Sequence, residues 1–538
     1  MPESLLARRA TMLVLALATL GAGAAPADRA LIDAATRGDL AAVRALLPTV
    51  DVNATAADRS TALHAAVERD DAAMVELLLQ HRADATAVNR YGVRPISLAA
   101  VNGNAGILTQ LLKAGADAGT TLPGGETVLM TAARTGSVDA VRTLLAHGAA
   151  VNARESRRGQ TALMWAAARN NTDVMRVLLE NGADLAAHTA NESAGVGRVS
   201  ESGNTFSAPA PTSFTALFFA VRAGHIPAVK LLIAAGADVN ETLSDGQSVL
   251  IVAAANAHWQ LADVLLDAGA DPNLAGAGWN ALHQTVRTRR PNIGFGTPGP
   301  IPTGTLDSIH VIRKMLAKGA QVNARMTRNG MRDGQRNRLN RLGSTAFFLA
   351  AKNTDVEVMK LLVAAGADPT IPNAEGTTPL MVASGLMIWN PGEDGGSLAG
   401  QEDEVVEAVR MCIDLGNNVN ATNAFGETAL HGAAYRGVNP VAALLVERGA
   451  RLDARDVRGW TPLAIANGLS YSDFFKQQVH TAKLLRELMH ARGLSTDGHV
   501  IDARVCHDCL QTRSDQARAV VERDRRMEAE FAAGTASR

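Results

Sequence analysis

The amino-acid sequence predicts an all-α repeat protein in which about twelve helix-turn-helix units stack in single file. One short apolar motif, opened in most copies by threonine, recurs at spacings of 32 to 34 residues, lengthened at three places. Its opening residues are Arg29, Thr61, Arg94, Thr127, Thr161, Thr215, Ser248, Asn280, Thr345, Thr378, Thr428 and Thr461. A second marker, a Gly-Ala or Gly-Asn pair, follows the same spacing at Gly115, Gly148, Gly182, Gly236, Gly269, Gly319, Gly366, Gly416 and Gly449. Two independent markers with one period indicate an array of repeats.

Each copy of the repeat has the pattern of two short helices. An alanine-rich segment such as residues 162–169 is followed by a turn and by an apolar-periodic segment such as residues 172–180. The glycine after the second segment fits a left-handed helix C-terminus. A single helix pair buries too little apolar surface to offset its ordering entropy, so neighbouring copies must pack on one another.

Three segments carry a family resemblance. Residues 376–380 (GTTPL), 426–431 (GETALH) and 236–240 (GADVN) resemble the motifs of the ankyrin repeat, and the chain looks like an exported bacterial member of that family. The resemblance covers residues 28–493 and implies an ankyrin-type solenoid with β-hairpin fingers and a concave face made by the first helices. It also implies that the protein binds other proteins.

The N-terminus has the pattern of an export signal. Two arginines end residues 1–9, an apolar run follows from Ala10 to Leu20, and small residues surround Ala24. This order predicts a secretory signal peptide over residues 1–24, cleaved after Ala24. A membrane-anchoring helix is disfavoured because it needs about 20 apolar residues. We therefore expect a periplasmic or secreted protein with no membrane span.

Departures from the period predict insertions in the repeat array. They fall near residues 188–212, 289–305, 325–342, 387–402 and 469–478. Residues 494–538 follow the array as a C-terminal tail, in which residues 511–533 have the pattern of an exposed charged helix. Its thin apolar stripe, which includes Met527 and Phe531, predicts packing on the last repeat.

Sequence motifs for catalysis are absent. The net charge of −1 excludes attraction of the whole molecule to nucleic acid, and no zinc-protease, phosphate-loop or hydrolase motif occurs. The glycines of residues 294–299 match a dinucleotide pattern, but they lie in a proline-rich insertion without the strand and helix that the site needs. His64, His283 and His431 recur at one repeat position, where the family resemblance implies a structural hydrogen bond. We expect no catalytic residue, no metal site and no cofactor.

The tail contains one local exception, the pair Cys506 and Cys509 in a C-x-x-C motif. The pair is interpreted as a disulfide or a loose loop, or as a thiol-exchange or metal site in which a nearby histidine lowers a thiol pKa. Haem attachment needs a histidine directly after the motif, and Leu510 stands there.

Cationic side chains recur at the two positions that follow the Ala-Ala of each first helix. They are Arg69, Arg134, Arg169, Arg222, Arg287, Lys352 and Arg436. In the family these positions face the concave surface, so the side chains predict a stripe that attracts a protein with an acidic surface. Aromatic residues at the finger tips, Tyr91, Trp279, Phe425 and Trp460, are candidate anchors. The alternative is that these cations are only solvated.

Two functions remain open from the sequence. The first is a monomeric, extracytoplasmic, non-enzymatic scaffold for protein–protein interaction that uses the concave face and the finger loops. The second is a redox- or haem-associated exported protein in which the tail with Cys506 and Cys509 carries thiol or metal chemistry.

Overall fold

The computed structural model describes residues 26–190, 213–290, 299–329, 339–386, 402–468, 477–497, 522 and 525–534. These residues form two compact units, unit 1 up to Ala237 and unit 2 from Asp238. Three of the predicted features lie wholly or partly outside the described residues: the signal peptide, the cysteine pair of the tail, and part of each insertion. A helix at residues 525–534, here called the C-terminal helix, belongs to unit 2.

Unit 1 contains six helix pairs, which we number as repeats 1 to 6. Their helices are α1 (Pro26–Arg37), α2 (Leu40–Leu46), α3 (Ala62–Glu68), α4 (Ala72–Gln80), α5 (Pro95–Asn102), α6 (Ala105–Lys113), α7 (Val128–Thr135), α8 (Val138–Ala146), α9 (Ala162–Ala167), α10 (Thr172–Glu180), α11 (Ala216–Arg222) and α12 (Ile226–Ala234). The first helix of each pair packs on the first helix of the next, and the second helices from α4 onward do the same.

Unit 2 contains six further pairs, repeats 7 to 12. Their helices are α13 (Val249–Ala255), α14 (Trp259–Asp267), α15 (Ala281–Arg289), α16 (Ser308–Ala317), α17 (Ala346–Lys352), α18 (Val356–Ala364), α19 (Pro379–Ala383), α20 (Glu402–Asp414), α21 (Ala429–Arg436), α22 (Asn439–Glu447), α23 (Pro462–Ala466) and α24 (Val479–Ala491). First helices again pack on first helices. The twelve pairs confirm the all-α repeat fold that the periodicity predicts.

The threonine of the repeat motif caps the first helix. The Thr61 hydroxyl accepts a hydrogen bond from the backbone N–H of His64, and Thr215 and Thr345 cap α11 and α17 in the same way. Such a cap satisfies one backbone donor that the first turn of a helix leaves unpaired. Where threonine opens the motif and caps in this way, it therefore marks the start of the first helix.

In ten of the twelve described repeats a glycine follows the second helix, where the backbone is left-handed. Gly115, Gly182 and Gly269 have φ angles of +96°, +82° and +94°, in the left-handed region that side chains with a Cβ disfavour. A Cβ added at these three positions would meet no atom within 4 Å. The constraint is therefore the φ angle and not a lack of space.

Asparagine side chains in six of the fingers form hydrogen bonds to the repeat that follows. Asn152 accepts from the backbone N–H of Asp184 at 2.8 Å and donates to the carbonyl of Gly182 at 2.9 Å. Five other asparagines make the same two bonds to the following repeat: Asn53, Asn240, Asn273, Asn323 and Asn420. We call these six residues the asparagine ladder. It gives the asparagine of the Gly-Ala-Asp-x-Asn motif a structural role.

The fingers are closed by turns and touch one another through the backbone. Within the described residues, β pairing is limited to two isolated antiparallel bridges, Thr121 with Thr127 and Thr242 with Ser248. Adjacent fingers share single hydrogen bonds, such as Val457 N–H to the Phe425 carbonyl at 2.9 Å. The hairpins that the family resemblance implies are therefore reduced to tight turns in this part of the chain.

An ion network links repeats 8, 9 and 10 of unit 2. Asp355 before α18 is buried, and its Oδ2 lies 2.8 Å from Arg289 Nε and 3.4 Å from Arg290 Nε. The same two arginines reach outward to Glu357 and to Glu404 of α20, each at 2.6 Å. The buried carboxylate of Asp355 thus lies at the centre of an ion network that joins three repeats.

A second polar network lies at the base of the last fingers. Glu427, before α21, is almost fully buried and accepts from Asn423 Nδ2 at 2.9 Å. Its other oxygen lies 3.2 Å from Arg458 Nη2, but the same guanidinium lies closer to Asp456 Oδ2, at 2.7 Å. Burial is the largest influence on the Glu427 carboxyl, and it raises the pKa to about 7 even though Asn423 and Arg458 act to lower it.

Candidate protein-binding surface

The cationic positions lie where each first helix ends, directly before the tight turn into the second helix. In unit 1, arginines at this position are exposed in five of the six repeats: Arg37, Arg69, Arg134, Arg169 and Arg222. We call these five residues the arginine face. Arg37 belongs to the arginine face, although the stripe predicted from the sequence begins at Arg69. Its position, eight residues after the degenerate opening residue Arg29, is the signal that could have found it.

Three of the five arginines of this face contact neighbouring groups that order them. Arg69 Nη1 donates to the carbonyl of Thr36 in the preceding repeat at 3.0 Å. The guanidinium of Arg134 lies over the ring of Trp165 in the next repeat, 5.3 Å from the ring centroid, and that of Arg222 lies 5.7 Å from the ring of Phe214. Cation–π contacts of this kind order a charged group while leaving it in contact with water.

Trp165 is an aromatic residue of this surface that the sequence reading missed. It lies on α9, is half-buried, and its Nε1 makes no hydrogen bond. The other tryptophans among the described residues, Trp259, Trp279 and Trp460, lie on a second helix or in fingers. This placement on the helix that carries the cations was the available signal. An aromatic ring beside an exposed arginine is the composition favoured at binding hot spots.

The predicted stripe does not continue as an exposed surface through unit 2. Arg287 is half-buried, whereas Lys352 and Arg436 are only 2% and 5% exposed. Arg436 Nη1 donates to the Ala383 carbonyl of the preceding repeat at 3.3 Å, and its Cβ lies against Gly385. Exposure of Lys352 and Arg436 was therefore the wrong expectation, because close packing between first helices covers them.

The aromatic finger residues differ in exposure. Tyr91 in unit 1 is 66% exposed, whereas Trp279, Phe425 and Trp460 in unit 2 are half-buried. Trp279 Nε1 donates to Gln284 at 3.1 Å, and the guanidinium of Arg458 lies 4.1 Å from the ring of Trp460. Tyr91 lies in unit 1. Within the described residues its ring makes neither a side-chain hydrogen bond nor a cation–π contact.

The three histidines of the repeat motif form hydrogen bonds that stabilise the fold. In each, Nδ1 faces the backbone N–H of the residue that opens the motif, and Nε2 lies 3.0 to 3.1 Å from a carbonyl of the next finger. The histidines are His64, His283 and His431. Burial lowers all three pKa values, that of His283 to about 4. They link adjacent repeats as neutral side chains, as the family resemblance implies.

His283→Met is expected to remove part of the acid sensitivity of unit 2. The folded pKa lies below the ordinary value of 6.5, so the unfolded state binds more protons as the pH falls from 6.5 to 4, and folding stability is lost in that window. The loss is up to about 3 kcal/mol. Methionine already takes this position in other repeats, where Met130 and Met164 accept from the capping threonine through sulfur.

The measurement is urea unfolding at pH 4.5 and 7. The variant loses the bond to the carbonyl of Ala324, which costs about 1 kcal/mol at pH 7, but its stability changes less between the two pH values. Equal pH dependence in the two proteins would contradict a neutral, buried His283. The exposed His147 supplies the control substitution His147→Met.

Metal ligands, membrane spans and cysteines are the other features that could carry a function. Among the described residues, no group of three or more His, Cys, Asp or Glu side chains could hold a metal ion, and no helix has the length and apolar character needed to cross a membrane. Cys412 is buried and free, and burial raises its pKa. Cys506 and Cys509 lie outside the described residues.

A stack of two-helix repeats, in which first helices pack on first helices, defines the class of α-helical repeat proteins. Family comparison agrees with this class. The pattern of three ankyrin repeats matches residues 31–121, 96–189, 204–293 and 397–484, and the single ankyrin repeat matches residues 342–374. The chain belongs to the ankyrin-repeat family, whose repeats generally mediate protein–protein interaction.

Curated relatives share the repeats. The chain is 30% identical over 268 residues to E3 ubiquitin-protein ligase KEG of Arabidopsis thaliana, covering 46% of this chain and 15% of the relative. It is 31% identical over 165 residues to mitochondrial disaggregase of Bos taurus, covering 31% and 20%. It is 30% identical over 176 residues to neurogenic locus notch homolog protein 1 of Xenopus tropicalis, covering 30% and 6%. The chain spans a fifth or less of each of these relatives.

A solved structure of an ankyrin repeat domain aligns with part of this chain. The human ASB11 ankyrin repeat domain aligns with 45% of this chain and 98% of its own, at 24% sequence identity and a TM-score of 0.38.

Proposed function

We propose that this protein is a non-enzymatic, extracytoplasmic scaffold that binds a protein with an acidic surface through the arginine face of unit 1. The observation that carries the proposal is the exposure of five arginines at the two adjacent positions that end the first helices of unit 1, in a chain whose net charge is −1. A local concentration of one charge in a neutral molecule attracts a partner of the opposite charge without attracting every anion.

The order of these side chains supports binding over mere solvation. Arg134 and Arg222 rest on aromatic rings, and Arg69 is tied to a backbone carbonyl of the neighbouring repeat. A side chain that is already ordered loses less conformational entropy when a partner binds. Arginine also forms two parallel bonds to a carboxylate, which gives geometric specificity for aspartate and glutamate side chains.

Charge reversal on the arginine face is expected to weaken partner binding at least tenfold. The test variant is Arg134→Glu, Arg169→Glu and Arg222→Glu together. The matched control is Arg44→Glu, Arg142→Glu and Lys230→Glu, which makes the same change in net charge at exposed positions on second helices of unit 1. Partners are first crosslinked in periplasm-containing cells and identified, and their affinities for the three purified proteins are then measured at two salt concentrations.

The wild-type protein and the control should bind alike, with affinity that falls as salt rises. Circular dichroism of each variant checks that the repeats remain folded. Partner affinity that is equal in all three proteins would refute the arginine face as the binding surface.

Export is the second part of the proposal. It is supported by the order of basic, apolar and small residues over residues 1–24. Mass spectrometry of the protein from fractionated cells should find Ala25 as the first residue, in the extracytoplasmic fraction. Light scattering of that mature protein should give the mass of a monomer. An intact Met1 in the cytoplasmic fraction would contradict export.

A further inference from the structure

The C-terminal helix is amphipathic, and its covered side is narrow. Met527, Glu528 and Phe531 are half-buried, whereas the other described residues from 525 to 534 are exposed. The covered positions are i, i+1 and i+4, which lie on one side of a helix. A ten-residue helix is marginal by itself in water, so contacts on this side must stabilise it.

Those contacts are made with the finger that precedes α17. We define the α17 finger as residues 325–329 and 339–345. The backbone N–H of Asn329 donates to Glu528 Oε1 at 2.9 Å, and Asn340 Nδ2 lies 3.6 Å from the sulfur of Met527. The guanidinium of Arg325 lies 5.1 Å from the centroid of the Phe531 ring. The sequence predicted that this helix packs on the last repeat; it lies instead on a finger of repeat 9.

The receiving groups on the α17 finger are ordered by the fold. Arg325 Nε donates to the carbonyl of Gly343, and its Nη2 donates to the carbonyl of Pro372 in the next finger, both at 2.8 Å. Asn340 is 1% exposed and is held by bonds to Glu375 and to the backbone N–H of Leu342. The guanidinium face and the asparagine amide are therefore positioned by the fold and not by the helix that meets them.

Gly343 leaves the space that the aromatic ring uses. Its φ angle is +78°, and an added Cβ would lie 2.8 Å from Arg325 Nη2 and 3.3 Å from Phe531 Cε2. Any side chain here would push the guanidinium and the ring apart. The glycine therefore permits the contact between Arg325 and Phe531, in addition to the backbone conformation that it supplies.

We infer that the α17 finger is a second protein-binding surface, which takes a short amphipathic helix with Met, Glu and Phe at positions i, i+1 and i+4. The C-terminal helix is its intramolecular ligand. A partner helix of the same pattern binds only when it displaces this helix, because a tethered ligand has a high effective concentration. The inference does not depend on the arginine face, which lies in unit 1.

The test uses a fluorescent synthetic peptide of residues 522–538 and the full chain. Phe531→Asp in the chain weakens its own helix and should lower the Kd for the peptide at least tenfold relative to the wild-type chain. Adding Arg325→Ala to that variant should remove the gain, because the peptide ring loses the guanidinium. The control is Glu530→Ala, on the exposed side of the helix, which should bind the peptide as the wild-type chain does.

Hydrogen exchange gives a readout that needs no peptide. Residues 325–329 should exchange faster in Phe531→Asp than in the wild-type chain or in Glu530→Ala, since the Asn329 amide loses its acceptor. Equal exchange in all three proteins, or equal peptide affinity with and without Arg325, would overturn the inference. Light scattering that finds a dimer held by exchanged C-terminal helices would overturn the intramolecular assignment.

Discussion

Replacing Asp355 with alanine is expected to lower the free energy of unfolding of unit 2 by about 3–5 kcal/mol. The carboxylate is buried and faces both Arg289 and Arg290, and its Oδ1 also caps α18 through the N–H of Val358 at 3.3 Å. Removing it leaves two partly buried guanidinium groups without their shared partner, while their bonds to the more exposed Glu357 and Glu404 remain.

Urea unfolding followed by tryptophan fluorescence measures this effect. Asp355→Asn separates its two parts, because asparagine keeps a capping oxygen but not the charge, and should lose less stability than alanine. Glu357→Ala removes an exposed partner of the same Arg289 and should cost less than about 1 kcal/mol. Equal losses for the buried and the exposed carboxylate would contradict the network as described.

Glu427→Gln is expected to stabilise the protein above neutral pH by up to about 3 kcal/mol. The folded pKa of about 7 lies above the ordinary value of 4.5, because burial outweighs the bonds from Asn423 and Arg458. Between pH 4.5 and 7 the unfolded state releases its proton while the folded state keeps it. Stability contributed by this group is therefore present at low pH and is lost as the pH rises to 7.

The free energy of unfolding should consequently fall less between pH 5 and 8 in Glu427→Gln than in the wild-type protein. At pH 5 the two proteins should differ little, since the folded wild-type carboxyl is then neutral, as glutamine is. Exposed Glu447→Gln serves as the control for an amide in place of a carboxyl. A variant that is less stable than the wild-type protein at pH 8 would show that the ion pair with Arg458 outweighs burial.

The helix pairs were predictable because local signals set them. The capping threonine and the left-handed glycine each act within one turn of the chain. Thr215 therefore marks the start of α11, and Gly236 marks the end of α12. The reading of His283 as a structural group also held, since its partners lie within its own motif and one finger onward.

The exposure of side chains was less predictable, because it depends on neighbours distant in sequence. Arg436 has the same motif position as the exposed Arg69 and Arg169, yet the turn at Gly385 of the preceding repeat covers it. The place of the C-terminal helix depends on Arg325 and Gly343, some 190 residues earlier. A motif that repeats at one period carries no information about such contacts.

The asparagine ladder has a consequence for how such a chain can grow. Asn152 meets its partner 30 residues later, while Asn273 and Asn323, each followed by an extra segment, meet theirs after 46 and 43 residues with the same two bonds. The same two hydrogen bonds thus form whatever the length of chain between the asparagine and its partners. Loops can therefore be inserted between an asparagine of the ladder and its partners without changing how adjacent repeats pair. Such insertions could add recognition segments to the scaffold.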